Sequence, residues 1–268
     1  MFGKHFSIKQ CQKIQNIVKA AGDDGFDNDT IDYIIAQSIP VLYGEDYKLN
    51  FKNEEEKIVF KTKVMSDIGK VLKEYKKHRE KKANNDKIFI TYENKTYSSN
   101  FVNIKTYFEI NKRISTEDIK SLVEDVLFML YSDILPIEVF DEIKAEDPLY
   151  YEIILEDVSV LILKTLKDIS TIKNIEKPEY LKKNNSSNLI QTKETQEESI
   201  YAIMLESYNI SPVDVNKNKA YDILKAISVI SNRHIISEFE EYIKDVKDVV
   251  FKKALIAQFE QNIGGGDK

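Results

Sequence analysis

Residues 149–169, LYYEIILEDVSVLILKTLKDI, constrain the fold more than any other stretch of the chain. From Val158 to Leu166 apolar side chains run around most of a helical circumference, so no face of that helix suits water. Other elements have to wall it in, and it is expected to be the buried centre of the N-terminal part. Asp147 and Pro148 mark its start: a capping side chain, then proline at the first helical position, where a missing N–H costs nothing.

The walls are predicted from apolar residues at helical spacing. Ser7 caps a helix to Ala21 with Ile8, Cys11, Ile14 and Val18 on one face, and Gly22 follows where a left-handed C-terminal cap belongs. A second helix begins after Asp29, turns Ile31, Ile34 and Ile35 inward, and is disturbed or ended by Pro40. A long helix from Asn53 to near Ala83 has an acidic first turn and carries Ile58, Met65, Ile68, Leu72 and Tyr75 close to heptad spacing. Ser115 and Asp118 open an amphipathic helix over 115–131 with Ile119, Leu122, Val126, Leu127 and Leu130 on one side. Pro136 opens a shorter one to Lys144.

The period changes in residues 86–110. Ile88, Ile90 and Tyr92 alternate with Phe89 and Thr91, Glu93-Asn94 or Asn94-Lys95 can turn the chain, and Phe101 to Ile110 is again rich in β-branched and aromatic residues. A small antiparallel hairpin or three-stranded sheet inserted between helices is expected. Residues 174–198 are polar and hold an Asn/Ser-rich cluster, which reads as a linker. Beyond it, 199–268 reads as a smaller all-α unit that restarts at Ser211-Pro212 and ends in one long helix from Asn232 to Ile263. The fold class is therefore mainly α: a helical domain over 1–173 with a β insert at about 86–110, a linker, and a helical C-terminal unit.

The most site-like stretch, AGDDGFDNDTIDYI at 21–34, does not hold calcium in either register that its glycines allow. With Gly25 at loop position 6, the ligand positions fall on Ala20, Gly22 and Ile31; starting at Asp23 puts Gly25 and Ile34 there. Its carboxylates read as caps and as partners of a helix N-terminus. Residues 133–157 carry nine acidic groups against one lysine, and Glu138, Asp141 and Glu142 within them read as a solvated face and not a metal site. No phosphate-binding glycine loop, nucleophile elbow or paired-cysteine motif occurs. His5, His78 and His234 are far apart, His234 being placed to pair with Glu238 one turn on. Cys11 reads as a buried small apolar residue. The expectation is a non-enzyme without cofactor or metal.

Two surfaces remain as candidates. The final helix carries one seam of Ile236, Phe239, Ile243, Val246 and Val250 and an adjacent one with Tyr242, Val249 and Ile256. Two seams exceed what a small unit can bury, so this helix is expected to pack on the N-terminal domain or to meet a protein partner or a second copy. The other candidate is KVLKEYKKHREKK (70–82), with seven basic residues against two glutamates in a chain of net charge −6. Lys70, Lys73, Lys76, Lys77, Arg79, Lys81 and Lys82 would there contact nucleic acid or an acidic partner, with Tyr92, Tyr97 or Phe101 stacking on bases.

The segment YNISPVDVNKNKAYDILKAI (208–227) resembles a short segment of phage tail assembly chaperones, through Ile210, Ser211, Pro212, Asp214, Val215, Asp222, Ile223 and Leu224. The resemblance covers about 20 of 268 residues and implies binding to extended helical tail proteins during assembly, with no catalytic residues. Basic residues that are almost all lysine, with abundant Ile, Asn, Asp and Tyr, match an A/T-rich genome, that of a low-GC bacterium or a virus. The expected function is a non-enzymatic scaffold or chaperone of an assembly; the alternative is an accessory nucleic-acid-binding protein. No apolar run approaches the roughly 20 residues that span a bilayer, so no membrane role is expected. One cysteine points to a reducing compartment, the cytoplasm, or to the virion for a phage-encoded chain.

Overall fold

The computed structural model describes residues 6–22, 27–82, 84–115, 118–182 and 196–264. The fold is mainly α with a small hairpin: among the described residues there are twelve helices and one two-stranded antiparallel sheet. The chain divides into two compact units, 1–98 with 131–161 and 99–130 with 162–268.

The first unit opens with three mutually packed helices, α1 (Ile8–Ala20), α2 (Asn28–Tyr43) and α3 (Glu54–Lys82). Each start follows from a local cap. The Ser7 and Gln10 side chains form a reciprocal capping box, Asp27 accepts from Thr30 N at 2.7 Å, and Asn53 accepts from Glu56 N at 2.8 Å. Gly22 takes a φ of 94° directly after α1, a conformation that costs a residue with a Cβ. Pro40 lies within α2 without ending it. The core of this bundle is Cys11 and Ile14 from α1, Ile34, Ile35, Ile39 and Leu42 from α2, and Val64, Ile68, Val71 and Tyr75 from α3. Each large apolar side chain among them contributes about 1.5–3 kcal/mol by leaving water.

Strands β1 (Phe89–Tyr92) and β2 (Lys95–Ser98) follow, joined by Glu93 and Asn94, both with positive φ (48° and 62°). Two left-handed residues make the tight turn whose twist matches the flanking strands. In register, Phe89 opposes Ser98 and Thr91 opposes Thr96 on the outer face, while Ile90, fully buried, opposes Tyr97.

In the second unit, α4 (Ile104–Arg113) is capped by Asn103, and α5 (Ile119–Tyr131) follows it as far as Leu130. The short helix α6 (Ile137–Glu146) belongs to the first unit, as does α7 (Pro148–Ser170) up to Leu161. The rest of the second unit comprises α8 (Glu179–Lys182), α9 (Gln196–Tyr208), α10 (Pro212–Val215), α11 (Ala220–Asp245) and α12 (Val249–Gly264). Ile104, Ile200, Met204, Val215, Ala220 and Ile223 form one core of this unit. Asn209 ends α9 with φ 54°, and Ser211 starts α10 by accepting from Asp214 N.

Five expectations need correction. Residues 104–110 are helical, not a strand, so the β insert is the two strands alone. Ile104, Tyr107, Phe108 and Ile110 fit the helical period as well as the alternating one; Asn103 caps the helix, and burial of Ile104 and Ile110 selects it. The buried stripe of α3 is Val64–Ile68–Val71–Tyr75; Ile58 and Met65 are exposed, because packing against α1 and α2 selects one of two overlapping stripes. Ile119 is likewise exposed on α5. The expected long helix over 232–263 is two helices. Val246 turns extended, and Asp248 caps a new start by accepting from Val250 N at 2.8 Å and Phe251 N at 3.0 Å.

The fifth correction concerns the linker. Residues 173–182 are built into the second unit: Lys173 O accepts from Ser228 Oγ at 2.8 Å, Ile175 N donates to Asn232 at 2.8 Å, and Leu181 is buried. Residues 196–198 of the linker open α9, while its residues 183–195, the acidic residues 23–24 of the calcium-loop-like stretch and the Gly-rich tail from 265 on lie outside the described residues.

Candidate functional site

The C-terminal surface is built on the break between α11 and α12. Phe239 and Phe259 stack, and with Leu181, Ile235 and Leu255 they form a second buried core of this unit. Ile236, Tyr242, Ile243, Val246 and Ile256 pack half-buried around it, and Tyr180 from α8 stacks on Tyr242 with centroids 5.3 Å apart. Six of the eight residues expected to bind a partner are therefore used, wholly or in part, inside the chain. The break supplies what a straight helix could not: it lets the apolar seam double back on itself. Val249 and Val250 remain, 64% and 80% exposed, and Phe251 beside them is 53% exposed. Sequence reasoning missed Phe251; the signal was Asp248 followed by three apolar residues, which a cap places outward at the first turn.

The basic end of α3 is split by tertiary pairing. Arg79 donates to Asp157 at 2.6 Å and to the Glu156 carbonyl at 2.7 Å, and Lys82 pairs with the same Asp157, which is 7% exposed. Lys70 pairs with Asp67 at 2.8 Å. Lys73, Lys76, Lys77 and Lys81 are exposed and have no ion pair among the described residues. The expected stacking residues are engaged elsewhere: the Tyr92 hydroxyl donates to Glu142, Tyr97 is half-buried, and Phe101, in the second unit, carries Lys219 Nζ 5.2 Å above its ring. The exposed aromatic residue beside the basic end is Phe89, 55% exposed, which borders a small cleft of about 50 Å³ with Lys82, Asn85 and Lys87.

The acidic stretch 133–157 is only partly a solvated face. Besides Asp157, Asp147 pairs with Lys9, and Glu156 accepts from Tyr75 and from Gln12 Nε2 at 2.9 Å. Burial, reinforced by the Glu156 carboxylate, holds the Tyr75 hydroxyl well above its ordinary pKa, so it stays a donor that ties α3 to α7. The Lys9 ammonium holds Asp147 below the usual carboxylate range. Among the described residues, no three His, Cys, Asp or Glu side chains are grouped to hold a metal. His234 contacts Glu238 at 3.0 Å, the expected one-turn pair, and Cys11 is fully buried, which raises its thiol pKa and removes it from solvent. No helix among the described residues is long and apolar enough to cross a membrane.

The second unit also holds an open groove of about 580 Å³. Tyr107, Phe108, Ile169, Ile200, Leu224 and Ile227 form its apolar walls, and Asn111, Asn174 and Ser231 its exposed rim. Among the described residues its lining carries no formal charge, so it favours an uncharged, amphipathic guest over an anion or cation. Comparison with protein-family models, curated proteins and solved structures finds no match to this chain.

Proposed function

We propose that this chain is a non-enzymatic assembly protein, a scaffold or chaperone that binds a protein partner through the start of α12. The observation that carries this reading is Val249-Val250-Phe251, three consecutive large apolar side chains left in water by a helix whose buried side is packed. Their place is set by the Asp248 cap, which makes the patch a rigid first turn and not a loose end. Rigid apolar anchors bind with little ordering cost. The uncharged groove of the second unit supports the same reading, since it has the character of surfaces that take the apolar face of a partner helix. The resemblance of residues 208–227 to tail assembly chaperones would make the partner a phage structural protein; Leu224 of that segment lines the groove.

The test is sedimentation velocity of the purified chain together with affinity capture from its native source, each repeated with Val250→Asp/Phe251→Asp. Self-association or a defined partner complex that the double variant loses, with its helical content intact, supports the reading. A wild type that stays monomeric and captures nothing beyond what the variant captures refutes it.

A further inference from the structure

A second surface, in the first unit, is independent of that reading. The bundle buries one apolar stripe of α3 and leaves another. Ile58, Thr62, Met65 and Gly69 follow one another at spacings of four, three and four, and at 3.6 residues per turn they lie within about 60° of arc. That arc is centred about 120° round the helix from the buried stripe of Val64, Ile68, Val71 and Tyr75. Ile58 is 61% exposed and Met65 37%, and Thr62 and Gly69 are exposed with them. No contact inside the chain requires Gly69: it sits in ordinary helical backbone, and a Cβ there would meet no atom within 4 Å. Glycine inside a helix is destabilising relative to alanine, and its use is to let another group come close to the backbone.

The charges along the same helix select what comes close. Its first turn is acidic, with Glu54, Glu55 and Glu56, and its second half carries Lys73, Lys76 and Lys77. A helix dipole favours cations only in the last turn, where Arg79, Lys81 and Lys82 stand, so it does not account for Lys73 and Lys76. Neither of those lysines, nor Glu55, has an ion pair among the described residues, and Glu54 meets Lys57 of its own helix at 3.4 Å. We infer that two copies of this chain pair through this face of α3, antiparallel about a two-fold axis near Met65. Glu54 and Lys76 are each eleven residues from Met65, and Ile58 and Leu72 each seven. An antiparallel pair therefore sets acid against base and apolar against apolar, each contact occurring twice. Glu55 and Lys73 share one flank of the stripe, and this symmetry brings like flanks together. Glu80 falls beyond the start of the facing helix. A parallel pair would set carboxylates on carboxylates and lysines on lysines. Gly69, one turn from the axis, leaves room for the facing Met65. The apolar contacts supply the affinity, and the exposed charges mainly the orientation.

The test is sedimentation equilibrium of the purified chain from low to high micromolar concentration. A face one helix wide and about 33 Å long lies at the small end of specific interfaces, so a dimer with a micromolar Kd is expected. Ile58→Asp/Met65→Asp weakens it by more than about tenfold with helical content intact. Gly69→Ala moves two readouts in opposite directions: the urea midpoint of the monomer rises, since open space surrounds the site, while the dimer weakens several-fold. Glu54→Lys/Glu55→Lys and Lys73→Glu/Lys76→Glu are each monomeric alone, and mixing them restores a dimer. Val250→Asp/Phe251→Asp leaves the wild-type dimer unchanged, which separates this face from that of α12. A wild type that stays monomeric overturns the inference, even where this face captures a foreign protein. So does a dimer that survives Ile58→Asp/Met65→Asp or is lost with Val250→Asp/Phe251→Asp, and so do charge variants whose mixture fails to associate.

Discussion

Phe239 and Phe259 stack with ring centroids 3.9 Å apart and planes 16° from parallel, one ring from α11 and the other from α12. They are about 20 residues apart along the chain, a separation that a continuous helix would stretch to about 30 Å. The contact exists because the helix breaks at 246–248, and it explains how an apolar surface too wide for one straight helix to bury is covered by the chain itself.

Phe259→Ala should therefore cost about 3–5 kcal/mol, the range for deleting a buried aromatic ring. The expected readout is a lower urea midpoint together with faster amide exchange in α12. Unchanged exchange there would mean that the stack does not hold the helix pair.

Asp157→Asn takes the shared carboxylate from both Arg79, 19% exposed, and Lys82, 36% exposed, and leaves Arg79 only the Glu156 carboxylate 3.7 Å away. Breaking a buried pair costs about 3–5 kcal/mol; partial exposure of the cations lowers the expectation to about 2–4 kcal/mol. Replacing all three together, Arg79→Met, Lys82→Met and Asp157→Leu, should recover most of the loss in a urea titration, because no unpaired charge then remains.

The Tyr92 hydroxyl donates to Glu142, and this hydrogen bond, followed by loss of solvent, pushes its pKa up to about 12. A raised folded value means that the contact's stabilisation is complete below the unfolded value near 10 and is lost as pH rises from about 10 through about 12. In an absorbance titration of tyrosinate, Glu142→Gln should move one transition back toward about 10. A profile identical to wild type would remove the hydrogen bond from the account.

Asp248→Ala deletes the acceptor for the Val250 and Phe251 amides. A lost N-cap costs typically about 1 kcal/mol, so those two amides should exchange several-fold faster while the α3 amides keep their protection. Retained protection at Val250 and Phe251 would show that the first turn is held by something else.

Features governed by neighbours along the chain are legible in the residues themselves. The Ser7 capping box, the glycine with positive φ at 22, the Asn53 and Asp147 caps and the His234–Glu238 pair each involve groups within four residues. Ring sizes and backbone hydrogen-bond geometry alone dictate such contacts, so residue type and spacing suffice. The candidate sites are legible there only as lists of residues. Whether Lys82 or Lys77 is free depends on Asp157, which lies 75 residues from Lys82 in sequence. Whether Ile243 or Val250 meets water depends on a reversal at Asp248 whose capping signal competes with an unbroken apolar pattern. Between residues 101 and 110 both periods fit, and burial of Ile104 and Ile110 in the second unit selects the helix. The sequence thus determined where helices can start and stop and that the fold is mainly α. Only tertiary structure decided which charges and which apolar faces are left over, because a side chain is satisfied by what comes near it in space.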